Sequence, residues 1–340
     1  MKDKMKALVL YGPRNVGVGE LPVAPLGDGD VRIRVAYCGI CGSDLHKYQG
    51  KKNTHPVKYP VALGHEISGV VEEVGKAVRD FVPGDRVTAD PNWSCGGCRW
   101  CRAGKPSFCE NARGVVKGMA ELVTCPAENV YHIPDSLSLR FAALAEPVSC
   151  CLHGMDLLGV RQGESVALIG FGAIGAIMLS LLKNSGAGEI TVIEYREERR
   201  ELALKMGADR FVCSADSEAL ERFAAESGAE RVMECVGLGV TQQIALKVAS
   251  KGATVVMFGV ADSEETVPVS FYDAFTKELT VKTSFVNPHT TQRAVRLLAS
   301  GLLKEEDLVF AEISLEEAAE EIRSPRLVKG GKVLVKIAGE

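Results

Sequence analysis

Up to Ala145, short apolar runs alternate with turn residues along the chain. Glycine, proline and aspartate interrupt the runs, as in Gly12-Pro13 and Pro83-Gly84-Asp85. This pattern is typical of β-strands joined by tight turns. It predicts strands at residues 6–10, 31–37, 67–74, 86–89 and 120–125.

Beyond Phe141 the pattern changes, and strands alternate with amphipathic or apolar helices. Strands are predicted at residues 166–169, 190–194, 231–236, 254–258 and 279–285, and helices at 174–182 and 196–206. Strand–helix alternation indicates a parallel sheet with helices on both faces. The end of the chain is mixed, with predicted helices at 291–300 and 315–323 and a strand at 332–337.

The composition is that of a soluble globular protein, and 340 residues are enough for two domains. A net charge of −4 gives no basic field for nucleic acid. The longest apolar stretch, residues 166–182, is marginal for a membrane span and contains three glycines. Eleven cysteines without a visible signal peptide favour reduced thiols for metal over disulfides, and therefore a cytoplasmic protein.

Four cysteines lie within fifteen residues at the spacing C-x2-C-x2-C-x7-C: Cys95, Cys98, Cys101 and Cys109. Four thiolates complete a tetrahedral shell around zinc and leave no open position, so such a site is structural. An iron–sulfur cluster is the alternative for the same ligands.

A second candidate metal site combines Cys41 with His65 and Glu66. Thiolate, imidazole and carboxylate form a zinc shell with one position open for a substrate. The remaining histidines are interpreted as surface or hydrogen-bonded residues (His55, His132 and His289) or left open (His153).

A G-x-G-x-x-G motif, Gly170 to Gly175, lies between a predicted strand and a predicted helix. This context indicates a dinucleotide site, with the pyrophosphate at the helix N-terminus. Glu194 ends the next strand and is placed to bind the ribose hydroxyls, which favours NAD. Arg196 follows closely, so NADP stays an alternative.

Several motifs in order resemble the zinc-dependent medium-chain dehydrogenases: residues 39–46 (Gly-Ile-Cys-Gly-Ser-Asp-x-His), 64–66 (Gly-His-Glu), 84–87 (Gly-Asp-Arg-Val) and the four cysteines. The resemblance is greatest to the polyol branch, with threonine dehydrogenases nearby. It implies zinc at both sites. It also implies a GroES-like catalytic domain (residues 1–148 and 288–340), a Rossmann domain (residues 149–287), and an active site in the cleft between them.

The resemblance also implies roles for individual residues. Cys41, His65 and Glu66 would bind the catalytic zinc, and Glu146 would bind or approach it. Asp44 would orient a ligand, Ser43 would take the alcohol proton, and His46 would deliver it to solvent. We expect cofactor contacts from Gly170, Gly172, Ala173, Ile174, Gly175, Glu194, Arg199, Val236, Gly259, Phe285 and Val286.

These observations predict a zinc- and NAD-dependent enzyme that oxidises a secondary alcohol, of polyol, sugar-alcohol or sugar-acid type, to a ketone. A threonine-type amino-alcohol dehydrogenase and a non-catalytic NAD-binding protein are the alternatives. The resemblance further implies a homodimer or homotetramer.

Two departures from the family pattern concern the substrate. The segment between Cys109 and Ala120 is short, and Lys47 stands where sorbitol dehydrogenases carry an aromatic residue. Further lysines follow: Lys51, Lys52 and Lys58. A solvated lysine-rich loop is the favoured interpretation, and an anionic substrate is the alternative.

Overall fold

The computed structural model describes residues 3–51, 57–226 and 228–338. Lys52 and His55 therefore lie outside the described residues. The chain divides into two compact units, one formed by Met1–Ser149 with Val286–Glu340 and the other by Cys150–Phe285. The predicted domain boundaries, after residue 148 and before residue 288, are one and two residues away from these.

The strands are β1 (Lys4–Gly12), β2 (Asn15–Pro22), β3 (Asp30–Gly39), β4 (Val61–Ala62), β5 (Glu66–Val74), β6 (Arg86–Ala89), β7 (Asn92–Trp93), β8 (Arg113–Gly114), β9 (Leu122–Pro126), β10 (Val130–His132), β11 (Ser165–Ile169), β12 (Glu189–Glu194), β13 (Arg210–Cys213), β14 (Ala229–Glu234), β15 (Ala249–Met257), β16 (Thr280–Thr283), β17 (Val309–Ile313) and β18 (Lys332–Lys336).

The α-helices are α1 (Gly42–Gln49), α2 (Arg99–Arg102), α3 (Leu139–Ala142), α4 (Ala145–Leu158), α5 (Ala173–Lys183), α6 (Arg200–Lys205), α7 (Ser217–Glu226), α8 (Gly239–Val248), α9 (Phe271–Lys277), α10 (Thr291–Ala299), α11 (Glu305–Leu308) and α12 (Leu315–Arg323). Short 3-10 helices occupy Pro106–Phe108, Ala127–Asn129 and Glu197–Arg199. No helix of the described residues is long and apolar enough to cross a membrane.

The first unit is built on a seven-stranded sheet of order β10-β6-β5-β3-β18-β17, with β9 paired to β3. A three-stranded sheet (β2-β1-β4) and a small hairpin (β7-β8) complete it. Alternating residues of β3 and β5, such as Ile33 and Ile67, are fully buried in one apolar core. The strand β18 comes from the C-terminal segment and pairs antiparallel with β3, which brings Leu334 opposite Gly39.

The second unit contains a six-stranded sheet of order β13-β12-β11-β14-β15-β16, and all its strand pairs are parallel. The central strands β11, β12, β14 and β15 are mostly apolar and buried, as expected when helices cover both faces, whereas β16 at one edge is mostly exposed. This arrangement confirms the predicted doubly wound α/β fold. The order reverses direction between β11 and β14, and in such sheets ligands bind at the carboxyl ends of the strands at this point.

The structure differs from the sequence predictions mainly in short elements. Helix α1 was not predicted because its eight residues carry little hydrophobic periodicity, and capping between Cys41 and Asp44 starts it instead. The predicted helix at 196–206 is divided into a 3-10 turn and α6. The strand predicted to reach Val236 ends at Glu234, so Val236 lies on the following loop.

Within the first unit, the returning C-terminal segment is anchored by Asn287. Its buried side chain donates to Ser149 Oγ at 2.8 Å and accepts from Asn92 Nδ2 at 2.7 Å. Thr291 Oγ1 donates to Asp90 Oδ2 at 3.2 Å nearby. Buried polar groups require such partners, so the segment is held in one position.

Candidate active site

The structure brings together the three predicted ligands of the open metal site. Cys41 precedes α1, and His65 and Glu66 stand at the start of β5. One ligand atom from each lies within 4.8 Å of the others. The buried Nδ1 of His65 has no hydrogen-bond partner among the described residues. Sulfur, nitrogen and oxygen donors in this arrangement fit zinc with an open position.

Asp44 holds the two ligand-bearing segments together. It is fully buried and accepts from the backbone N–H of Cys41 at 3.1 Å and of Gly64 at 3.0 Å. Its Oδ1 lies 4.0 Å from His65 Nδ1, beyond hydrogen-bond distance. Asp44, the residue expected to orient a ligand, therefore acts on the backbone of the two ligand-bearing segments.

The Glu66 carboxylate is 1% exposed and is paired with Lys332, the first residue of β18. Lys332 Nζ donates to both carboxylate oxygens, at 2.7 and 2.8 Å, and to the carbonyl of Ile40 at 3.2 Å. Burial alone would lower the pKa of Lys332, but the charges of Glu66 and Cys41 outweigh it and raise that pKa. Gly39 makes room for the pair, because a Cβ there would lie 1.9 Å from Glu66 Oε2.

Glu146 lies in the first turn of α4 and is buried beside the same cluster. Burial raises the pKa of Glu146 to about 8; His65 lowers it, and Glu66 and Cys41 raise it further. Its carboxylate is not among the three ligand atoms that lie within 4.8 Å of one another. Burial and the charge of Glu66 also raise the pKa of Cys41.

Ser43 and His46 are both on α1, three residues apart, and so lie on the same side of the helix. Both are half-buried. Cys38, three residues before Cys41, is fully buried on β3 and is not one of the three clustered ligands. His132 is exposed, stacks on Phe81 and contacts the Asp80 carbonyl, which agrees with a surface role.

The four-cysteine cluster is also assembled, with the sulfur atoms of all four residues within 4.8 Å of one another. Cys98 Sγ lies 3.6 Å from Cys101 Sγ, and Cys109 Sγ lies 3.5 Å from Cys95 Sγ. Thiolates bound to one zinc ion at ~2.3 Å stand at similar separations.

Donors surround the sulfur atoms of this cluster. Hydrogen bonds from Asn111 and from the backbone N–H of Cys98 lower the pKa of Cys95 to about 6. Burial raises the pKa of Cys101 to about 11. The lowered pKa of Cys95 favours the thiolate form that a metal requires.

In the second unit, the glycine-rich turn joins β11 to α5. Gly170 has φ +88°, and a Cβ there would lie 2.3 Å from Val236 Cγ2. A Cβ on Gly175 would lie 2.1 Å from the Gly170 carbonyl oxygen. At Gly172, which precedes α5, a Cβ would meet nothing within 4 Å, so the space above the helix N-terminus is open. Ala173 and Ile174 form the first turn of α5.

Glu194 and Arg199 both hold the backbone of this turn. Glu194 Oε2 accepts from Phe171 N at 2.8 Å, and Arg199 Nη2 donates to Phe171 O at 2.9 Å. Glu194 Oε1 accepts from the backbone and side chain of Arg196. Burial would raise the pKa of Glu194, but these donors outweigh it and lower that pKa, so the side chain is a carboxylate at neutral pH.

Glu234, at the end of β14, organises the loop that carries Val236. Its Oε1 accepts from the N–H of Val236 and of Gly237, and from Thr241 Oγ1, each at 2.8 Å. Gly259 packs against this loop, because a Cβ there would lie 2.1 Å from Gly237 N.

Two further residues of the predicted cofactor set lie where the chain leaves the second unit. Phe285 is its last residue and is 40% exposed. Val286 has φ +52°, which is costly for a β-branched residue.

Sequence reasoning missed Lys332 and Glu234. Glu234 carries a signal, since an acid ends β14 as Glu194 ends β12. Lys332 carries no such signal in the sequence. It follows two glycines and begins the last strand, and only the pairing of β18 with β3 brings it to Glu66.

Comparison with known proteins agrees with this geometry. Residues 27–135 match the model of the alcohol dehydrogenase GroES-like domain, and residues 173–300 match that of the zinc-binding dehydrogenase. Sorbitol dehydrogenase of Bacillus subtilis is 31% identical over 93% of this chain and 92% of its own length. The predicted fold class, a GroES-like domain with a Rossmann domain, is confirmed.

Two solved structures are similar over nearly the whole chain. One, described as a zinc-binding dehydrogenase from Sinorhizobium meliloti bound to NADP, has a TM-score of 0.92 and 36% identity, and the match covers 98% of this chain and 100% of that one. The other, 2R,3R-butanediol dehydrogenase from Bacillus subtilis, has a TM-score of 0.89 and 28% identity, with 98% and 99% covered.

Replacing Lys332 with Met should destabilise the protein by about 3 kcal/mol, because it removes the ammonium group that donates to both oxygens of the buried Glu66 carboxylate. Urea unfolding of the metal-loaded protein measures this loss. Lys336→Met, at the exposed end of the same strand, is the control and should cost under about 0.5 kcal/mol. Equal effects of the two substitutions would contradict the role given to the buried pair.

Proposed function

Since this chain belongs to the zinc-binding alcohol dehydrogenase family, we propose that it oxidises a secondary alcohol of polyol type to a ketone, with NAD as the preferred hydride acceptor. The assembly of Cys41, His65 and Glu66 carries this proposal. The names of the sorbitol and butanediol dehydrogenases that it resembles support a polyol substrate.

Cys41, His65 and Glu66 would hold the catalytic zinc, with Glu146 beside it. A bound zinc ion supplies Lewis-acid chemistry, which lowers the pKa of an alcohol at the open position. Lys332 and Asp44 are positioning residues: the first holds the Glu66 carboxylate, and the second fixes the backbone around the other two ligands.

Oxidation removes a proton and a hydride from the alcohol, and the proton must reach solvent. Ser43 would accept it at Oγ, and His46 would deliver it to water from the other end of the same helix face. Histidine suits the second step because its ordinary pKa is near neutral. A bound nicotinamide would supply the hydride acceptor.

The glycine-rich turn and the N-terminus of α5 would bind the cofactor pyrophosphate. The charged Glu194 carboxylate would accept hydrogen bonds from the adenosine ribose and repel a 2′-phosphate, which is why NAD is preferred. Arg196 offsets part of that charge, since its Nε lies 3.1 Å from Glu194 Oε1. Use of NADP at lower efficiency is therefore expected.

Replacing Cys41 with Ser should remove one zinc ion per chain and lower turnover at least about a hundredfold, since the metal activates the alcohol. Metal analysis measures the zinc content. Absorbance at 340 nm measures turnover, with polyols and threonine as substrates and NAD or NADP as acceptor. Cys38→Ala, from the same segment, should keep both zinc ions. Full activity without the catalytic zinc would disprove the mechanism, and threonine as the preferred substrate would disprove the substrate class.

We propose that Cys95, Cys98, Cys101 and Cys109 hold a second, structural zinc. Cys98→Ser should lower the zinc content by one ion per chain and lower the melting temperature, because a closed thiolate site contributes directly to folding. Cys213→Ser, outside both clusters, is the control and should keep both ions. An iron signal in place of zinc would contradict the assignment.

A homo-oligomer is the remaining part of the proposal. Strand β16 is one of the two edges of the six-stranded sheet. Helix α9, which precedes it along the chain, exposes Phe271, Tyr272 and Phe275 at 76–84%. An exposed edge beside an aromatic patch is typical of an interface. Two copies related by a two-fold axis would cover both features.

The double substitution Phe271→Lys/Phe275→Lys should shift the molecular mass in solution towards that of a monomer, because it places charge in the interface. Light scattering after gel filtration measures the mass. Val82→Lys, at another exposed apolar position, should leave it unchanged. A monomeric native protein would disprove the homo-oligomer, and an unchanged mass of the double variant would disprove this interface.

A further inference from the structure

Lys47 is the first of two lysines that flank the candidate metal site. It lies in the last turn of α1, and its side chain is 27% exposed. Its Nζ is 3.8 Å from Asp44 Oδ1, the oxygen that lies 4.0 Å from His65 Nδ1. Lys47 is thus half-withdrawn from solvent and directed towards the metal ligands, unlike a residue of a solvated loop.

Lys117 is the second lysine, in the short segment after the four cysteines. Its successor Gly118 donates to the Gly64 carbonyl at 2.9 Å, and Met119 donates to that of Leu63 at 2.8 Å. Its predecessor Val116 is buried. The backbone of Lys117 is therefore fixed beside Gly64, the residue before His65, while its side chain reaches solvent.

Both lysines are thereby connected to the backbone of Gly64. Asp44 Oδ1, which faces Lys47 Nζ, accepts from the Gly64 N–H, and Gly118, next to Lys117, donates to the Gly64 carbonyl. Desolvation and the nearby charge of Lys47 lower the pKa of Lys117. The two ammonium groups repel each other, and an anion bound by both would relieve that repulsion.

Asp44 offsets part of this positive charge, because its Oδ1 lies 3.8 Å from Lys47 Nζ. The Asp44 oxygens already accept two backbone hydrogen bonds, and none of the ion pairs of the described residues involves Lys117. Neutral hydroxyl groups need no ammonium pair for recognition. Lysine, a compact charge with three rotatable donors, can bind either a carboxylate or a phosphate group.

We propose that Lys47 and Lys117 form an anion subsite beside the metal site, and that the substrate is a polyol carrying a carboxylate or phosphate group. This inference rests on the proposed function and narrows its substrate class. It replaces the solvated-loop interpretation for Lys47, while Lys51 and Lys58 remain exposed residues.

The test compares kcat/KM of the zinc-loaded enzyme for three alcohols of one carbon skeleton: a polyol, its phosphate ester and the corresponding sugar acid. The kcat/KM for one of the two anionic substrates should be at least about tenfold higher than the kcat/KM for the neutral polyol. The substrate with the higher value identifies the anionic group that the site recognises. Lys47→Gln and Lys117→Gln should each lower this ratio about tenfold, and the double variant should lower it further. Loss of fold or metal would lower all three values together and leave the ratio unchanged.

Lys58→Gln, which removes an exposed lysine, is the matched control and should preserve the ratio. An unchanged ratio in the double variant, with neutral polyols still oxidised, would overturn the inference and leave the proposed function intact. If no alcohol is oxidised, the proposed function fails. The affinities of the sugar acid and the polyol phosphate, measured by calorimetry, still test the anion subsite. If neither anion binds more tightly than the neutral polyol, the anion subsite is disproved. If an anion binds more tightly and the double variant loses this difference, the subsite is supported.

Discussion

The burial of the Glu66 carboxylate is the constraint on which the first unit depends. A charge this far from water is stable only with a partner and satisfied hydrogen bonds, and Lys332 provides both. Glu66 begins β5 and Lys332 begins β18, so the ion pair joins the C-terminal segment to the sheet beside β3. The interaction that closes the fold therefore also holds a candidate metal ligand.

Asp44 applies the same principle to the backbone. Its buried carboxylate is satisfied by the N–H groups of Cys41 and Gly64, which belong to two separate segments of the chain. In holding them, it brings a thiol and an imidazole to the same place without contacting the imidazole. The site is therefore preorganised by side chains that would not touch the metal, an arrangement that keeps ligands at their required geometry.

The second unit repeats this use of buried acids at the ends of parallel strands. Glu194 ends β12 and caps the glycine-rich turn, and Glu234 ends β14 and caps the neighbouring loop. Backbone N–H groups left free where a strand ends need acceptors, and a carboxylate satisfies several at once. Both loops at the predicted cofactor site are thus shaped before any ligand arrives, and the lowered pKa of Glu194 keeps its carboxylate charged, as the proposed preference for NAD requires.

The sequence alone determined the features that depend on neighbouring residues: the strand–helix alternation, the glycine turn and the cysteine spacing. These features can be predicted from short segments, because hydrophobic periodicity and loop geometry depend on only a few neighbouring residues. The tertiary structure decided which remote groups meet. Lys332 lies 266 positions from Glu66, and Lys117 reaches Gly64 only through pairing of the segments around them. Sheet pairing sets those distances, and because it is a long-range interaction, no local pattern records it.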